Sequence, residues 1–187
     1  MKKSAQVHKG FTLVELLVVI AIIAILAAVV VLIINPLELT RRGRDAARLT
    51  DLSNLQQAIN VAVQEATGSA ATILCSGVPA PVVSCTGSSN VAGRSSDGTG
   101  WVKVDMSSQK SVSVPTLPVD PINDATYHYT YCSDGNGWEI NAVLESEQQK
   151  SKMANDGGNE NAIDTTGRYE VGSNLSLITT LGGTCAY

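Results

Sequence analysis

The sequence predicts an α+β protein: a long N-terminal helix that crosses a membrane with its first half and packs with its second on a small antiparallel β-sheet head. Three observations predict it. An apolar run fills residues 11–34, a stripe at helical period follows over residues 49–66, and two alternating segments flank a glycine-rich turn between residues 127 and 144. A chain of 187 residues suffices for one domain plus an appendage, which excludes a large multidomain enzyme. Lys and Arg number 13 against 17 Asp and Glu; setting aside Lys2, Lys3 and Lys9 leaves the remainder at −7. So acidic a body is a poor partner for phosphate backbones, and no nucleic acid is expected.

The first element runs from Phe11 to Ile34, 24 residues whose one charge is Glu15, against the ~20 needed to cross a bilayer as a helix. It exceeds the apolar region of a secretory signal and lacks the small-residue cleavage site that would follow one. Basic residues flank it on both sides, Lys2, Lys3 and Lys9 before and Arg41, Arg42, Arg44 and Arg48 after, so charge counting leaves the orientation undecided. A carboxylate inside such a span costs roughly 2.5–3.5 kcal/mol on insertion scales and marks a specific partner.

Lys9-Gly10-Phe11-Thr12-Leu13-Val14-Glu15, followed by the unbroken apolar run, resembles the prepilin signature of type IV pilins and type II secretion pseudopilins. The resemblance is strongest over residues 9–34 and continues as a pattern to about residue 66. It implies a leader of residues 1–10, removed by a membrane prepilin peptidase between Gly10 and Phe11, and methylation of the new amino terminus on Phe11. It also implies an orientation, with the cut on the cytoplasmic side and the rest of the chain outside. The fold class is then pilin-like, and Glu15 acquires a role: paired with the Phe11 ammonium group of the next subunit, it sets the register of a filament core, where bulk hydrophobicity cannot. Implied partners are the peptidase, copies of this chain and other pilins or pseudopilins, an inner-membrane assembly platform and membrane lipid. The implied location is the inner membrane as a single-pass protein, then an extracellular or periplasmic filament.

Asn35-Pro36 interrupts the helix pattern, because proline lacks the amide donor and crowds the preceding turn; a kink or short break is expected, with Gly43 a second weak point. Residues 35–67 form the amphipathic second half of the helix, its stripe carried by Leu49, Leu52, Leu55, Ile59, Ala62, Val63 and Ala66 and its end marked by Gly68. A single rod from Phe11 to Thr67 would be about 80 Å long, so half of it would project from any head. Arg41 with Asp45 and Arg48 with Asp51 stand at helical spacing and are expected as solvated surface pairs.

The head comprises residues 68–187. Its first part, residues 68–100, is rich in Gly, Ser, Ala and Thr with Pro79 and Pro81, and reads as a long surface loop. Trp101 to Val104 reads as a short strand, and Val112 with Val114 as another. Tyr127 to Cys132 and Trp138 to Leu144 alternate around Ser133-Asp134-Gly135-Asn136-Gly137, a β-hairpin. A helical excursion over Glu145 to Met153 and short strands at Tyr169 to Val171 and Leu175 to Leu177 complete the reading. Leu117-Pro118-Val119-Asp120-Pro121 before the hairpin also resembles the pseudopilin head, and by itself is a rigid turn.

Four cysteines, Cys75, Cys85, Cys132 and Cys185, fall in the exported part, where disulfides persist. Of the three connectivities, Cys75 to Cys85 closing the loop with Cys132 to Cys185 tying the C-terminal region to the hairpin is favoured; the second bridge resembles the C-terminal staple of many pilins. Zinc is disfavoured, since no Cys-x-x-Cys pair exists and only His128 would help. No cofactor is expected apart from a structural calcium, which the family association suggests for Asp156, Asn159 and Asp164, although such Gly/Asn/Asp runs also serve as turns. Catalysis has little to stand on: His128 is the one histidine left once the leader is gone, and no phosphate-cradling loop is present. The chain therefore reads as a structural subunit rather than an enzyme, of a type IV pilus or alternatively of a secretion or DNA-uptake pseudopilus. A rival of a different class is a monomeric membrane-anchored binding or hydrolytic domain, which would leave Gly10 and Glu15 without a role.

Overall fold

A computed structural model describes residues 10–33, 35–76, 78, 84–108, 110–111, 114–179 and 185. Lys9, Pro79, Pro81 and Val112 lie outside them. The architecture is α+β, in two compact units that divide between Leu39 and Thr40.

The first unit is built on α1, Leu13–Ile33. Thr12 and Glu15 start it as a reciprocal capping box. The Thr12 hydroxyl accepts from Glu15 N (3.2 Å) and donates to Glu15 Oε2 (2.8 Å), while Thr12 N donates to the same oxygen (2.8 Å). From Leu13 to Val31 none of the side chains is buried within the chain. The expected single rod is two helices. Helix α2, Pro36–Glu65, begins anew with Asn35 as its cap, the amide oxygen accepting from Leu37 N (3.2 Å) and Glu38 N (3.3 Å). Pro36 suits a first-turn position, where its missing N–H removes no helical bond. Gly43 makes no second break.

The rest of α2 belongs to the head. Its stripe is Leu52, Leu55, Ala58, Ile59 and Ala62, all buried, with Leu49 and Val63 partly so. They share one core with the helix-side face of a four-stranded antiparallel sheet in the order β1 (Cys85–Ser88), β2 (Thr130–Ser133), β3 (Trp138–Ala142), β4 (Tyr169–Gly172). The register sets Tyr131 opposite Ile140 and Ile140 opposite Val171, so these three point toward α2 with Trp138. Thr130, Cys132, Glu139, Asn141 and Glu170 occupy the other face. Leu177, Ile178 and Cys185 form a second apolar cluster with Cys132 there, and Ile178 bridges Cys185 in parallel.

Several local readings are corrected. The presumed loop of residues 68–100 holds a short helix α3 (Ala70–Leu74), capped by Ser69, and strand β1. Leu74, Cys75 and Cys85 are core residues. Trp101, Val102 and Val104 are fully buried but outside the sheet. The Trp101 indole donates to the Pro118 carbonyl (2.9 Å), and its backbone lies so close over β1 that a side chain at Gly87 would strike the Trp101 carbonyl. Within Glu145 to Met153 the helical part is one 3-10 turn, Lys150–Lys152. Leu175 to Leu177 form no strand, because Leu177 N and Ile178 N are taken by a side chain, Glu139 Oε2 (2.8 and 3.1 Å).

Candidate processing and assembly site

Gly10 and Phe11 lie exposed just before the Thr12 cap, with Phe11 83% accessible. A Cβ built on Gly10 meets nothing within 4 Å, so none of the described residues demands glycine there. Glu15 projects from the first turn of α1, where a carboxylate complements the helix's positive end. Its Oε2 is held by Thr12, and Oε1 has no hydrogen-bond partner among the described residues. The sequence reading singled out Glu15 but missed Thr12, although Thr12-Leu13-Val14-Glu15 is itself the pattern of a capping box. What the segment offers chemically is an accessible peptide bond, an apolar cylinder and one carboxylate placed four residues past that bond.

The head is tied to α2 by a buried ionic cluster that helical spacing had assigned to the surface. Arg48 and Asp45 are both fully buried. Arg48 reaches Asp120 through Nε (2.6 Å) and Nη2 (2.9 Å), and Asp45 and Glu145 through Nη1 (2.9 and 2.5 Å). Arg44 adds a second fork onto Glu145, and Asp45 accepts from Glu145 N and Ser146 N. Asp51, expected to pair with Arg48, instead accepts from the Tyr129 hydroxyl (2.9 Å). Burial alone would discharge Arg48, yet Asp120, Glu145 and Asp45 hold it protonated. Burial likewise works to raise Glu145, but Arg44 and Arg48 outweigh it and its pKa is lowered. The Pro118 to Pro121 turn is thus more than a rigid corner: Asp120 Oδ1 also accepts from Ile122 N (2.8 Å). Asn123 follows in a left-handed conformation (φ 55°), and its amide bonds Ser89.

Cys75 pairs with Cys85 and Cys132 with Cys185, spanning 10 and 53 residues. The oxygen-rich loop spends its carboxylates on the backbone. Asp156 accepts from Gly158 N and Glu170 N, and Asp164 from the amide and hydroxyl of Thr166, while Asn159 is exposed. Among the described residues no three His, Cys, Asp or Glu side chains are grouped to hold a metal ion. His128 donates Nδ1–H to the Asp124 carbonyl (3.0 Å), and burial lowers its pKa.

On the sheet face turned from α2, Glu139 and Glu170 are 0% and 2% exposed; Glu139 Oε2 accepts from Leu177 N and Ile178 N, Glu170 Oε2 accepts from Glu160 N (3.2 Å), and the Oε1 of each is buried without a hydrogen-bond partner among the described residues. Burial first, and then Glu139, pushes the Glu170 carboxyl up to about 9.

No curated protein and no solved structure matches the chain. One family description does, and it falls on the segment just built: residues 6–31 carry the prokaryotic N-terminal methylation motif, the signature of type IV pilins and pseudopilins.

Proposed function

We propose that the chain is a structural subunit of a type IV pilus or related filament. It is anchored in the inner membrane by α1 with its head outside, cut by prepilin peptidase between Gly10 and Phe11, methylated on Phe11, and passed by an assembly platform into a helical array of its own and related copies. The observation that carries this reading is an apolar helix, Leu13–Ile33, unburied from Leu13 to Val31 and opening within three residues of an exposed Gly10–Phe11 bond. Such a surface needs lipid around it first and the helices of neighbouring copies afterwards.

The new ammonium group on Phe11 and the Glu15 carboxylate of an adjacent copy then neutralise each other in the apolar filament core. Removing one partner of a buried pair costs about 3–5 kcal/mol. Glu15→Ala is therefore expected to stay in the membrane and disappear from sheared filaments; normal incorporation would overturn this role. The reading as a whole is tested by intact mass and N-terminal peptide analysis of protein from its native membrane or sheared surface fraction. A chain beginning at methylated Phe11 supports it, and one beginning at Met1 returns a membrane-anchored monomer to first place.

A further inference from the structure

Glu15 poses a problem that the filament does not solve. Before assembly the subunit sits alone in lipid, and a carboxylate in the first turn of an apolar helix has no neighbour's ammonium group to meet. The structure supplies a partner from the chain itself. Two donors of Thr12, its amide and its hydroxyl, converge on Oε2 at 2.8 Å each, and the same hydroxyl accepts from Glu15 N at 3.2 Å. Donating and accepting at once, the hydroxyl polarises both bonds and fixes the rotamer of Glu15. Both residues follow the Gly10–Phe11 bond, so cleavage there leaves the arrangement intact.

We propose that Thr12 is the positioning residue for Glu15: it holds Oε2 against the helix's own first turn and presents Oε1 to the ammonium group of a second copy of the chain. This rests on the filament reading and deepens it. A freely rotating carboxylate would have to be ordered at the moment of docking; one already held by Thr12 meets the incoming charge with that ordering done. The exchange is additive, since the neighbour's ammonium group takes the oxygen that Thr12 leaves open.

Thr12→Val keeps the branched shape and volume and removes the hydroxyl. Thr12→Ser keeps the hydroxyl and removes the methyl group. Each is expressed as the full chain with its native assembly machinery. Membrane level, N-terminal peptide and filament content are measured together, so that incorporation is counted per processed, membrane-resident subunit. Thr12→Val is expected to lower incorporation by about tenfold or more, as for the loss of a hydrogen bond to a charged group, with Thr12→Ser close to the unchanged protein. Thr12→Ala serves as a second hydroxyl-free variant should valine impair accumulation or cleavage. Equal incorporation of the hydroxyl-free and unchanged chains, or equal failure of Thr12→Ser, overturns the proposal. Failure of the filament reading looks different: a chain that begins at Met1, or a Glu15→Ala chain that still enters filaments.

Discussion

Arg48 answers to three carboxylates, and each depends on it. Replacing it with methionine leaves Asp45, Asp120 and Glu145 buried with only Arg44 nearby, and should cost about 3–5 kcal/mol. Denaturant unfolding of the solubilised protein measures this, and an unchanged midpoint would refute it. Helical spacing shows which residues can meet along one helix, but not which of them turns toward the head. Arg48 consequently read as half of a surface pair with Asp51, whereas it bonds Asp45 three positions back on its own helix and Asp120 and Glu145, 72 and 97 positions away. Glu139 and Glu170 were hidden for a related reason: polar residues alternating along a strand look solvated until the segment that covers them is known. Their burial, which raises both carboxyls, makes stability depend on pH. The folded Glu170 keeps its proton to about 9 whereas the unfolded group releases it near 4.5, so folding takes up a proton between these values and stability declines as pH rises through that window. The melting temperature is expected to be higher at pH 5 than at pH 9, and Glu170→Gln should flatten the difference.

Among the elements, those with a strong period were legible. The α2 stripe and the β2–β3 hairpin follow from threes and fours and from alternation around Gly135 and Gly137. β1 was not legible, because Cys85-Thr86-Gly87-Ser88 has little intrinsic strand preference and is extended by its pairing with β2. Trp101 to Val104 erred in the opposite direction: β-prone residues fill the core without joining the sheet, since β1 already borders β2 there. Disulfides stabilise elements of so little local preference by restricting the unfolded chain. Replacing Cys132 and Cys185 together with serine should cost roughly 4 kcal/mol, and Cys75 with Cys85 roughly 3 kcal/mol, by loop-closure entropy. Thermal unfolding of the two double variants gives the order, and a larger loss for the shorter loop would contradict it.

At the scale of the whole molecule, an apolar helix and an acidic head divide the composition between two environments, and that division was plain from residues 11–34 alone. The candidate site was legible to the same degree at Gly10, Phe11 and Glu15, and less so at Thr12, whose contribution is hydrogen bonding rather than charge. Since a side chain at Gly10 would meet none of the described residues within 4 Å, Gly10→Leu should block processing, visible as the retained leader by mass, without moving the melting temperature of the head. The head itself is closed by distant partners: Arg48 needs Glu145, Cys132 needs Cys185, and Glu139 needs the amides of Leu177 and Ile178. During synthesis, then, the anchor is complete long before the head, whose last contacts wait for Cys185 to emerge. On the topology proposed, the subunit is tethered first and matures afterwards, which places its final folding step with the oxidising machinery on the far side of the membrane.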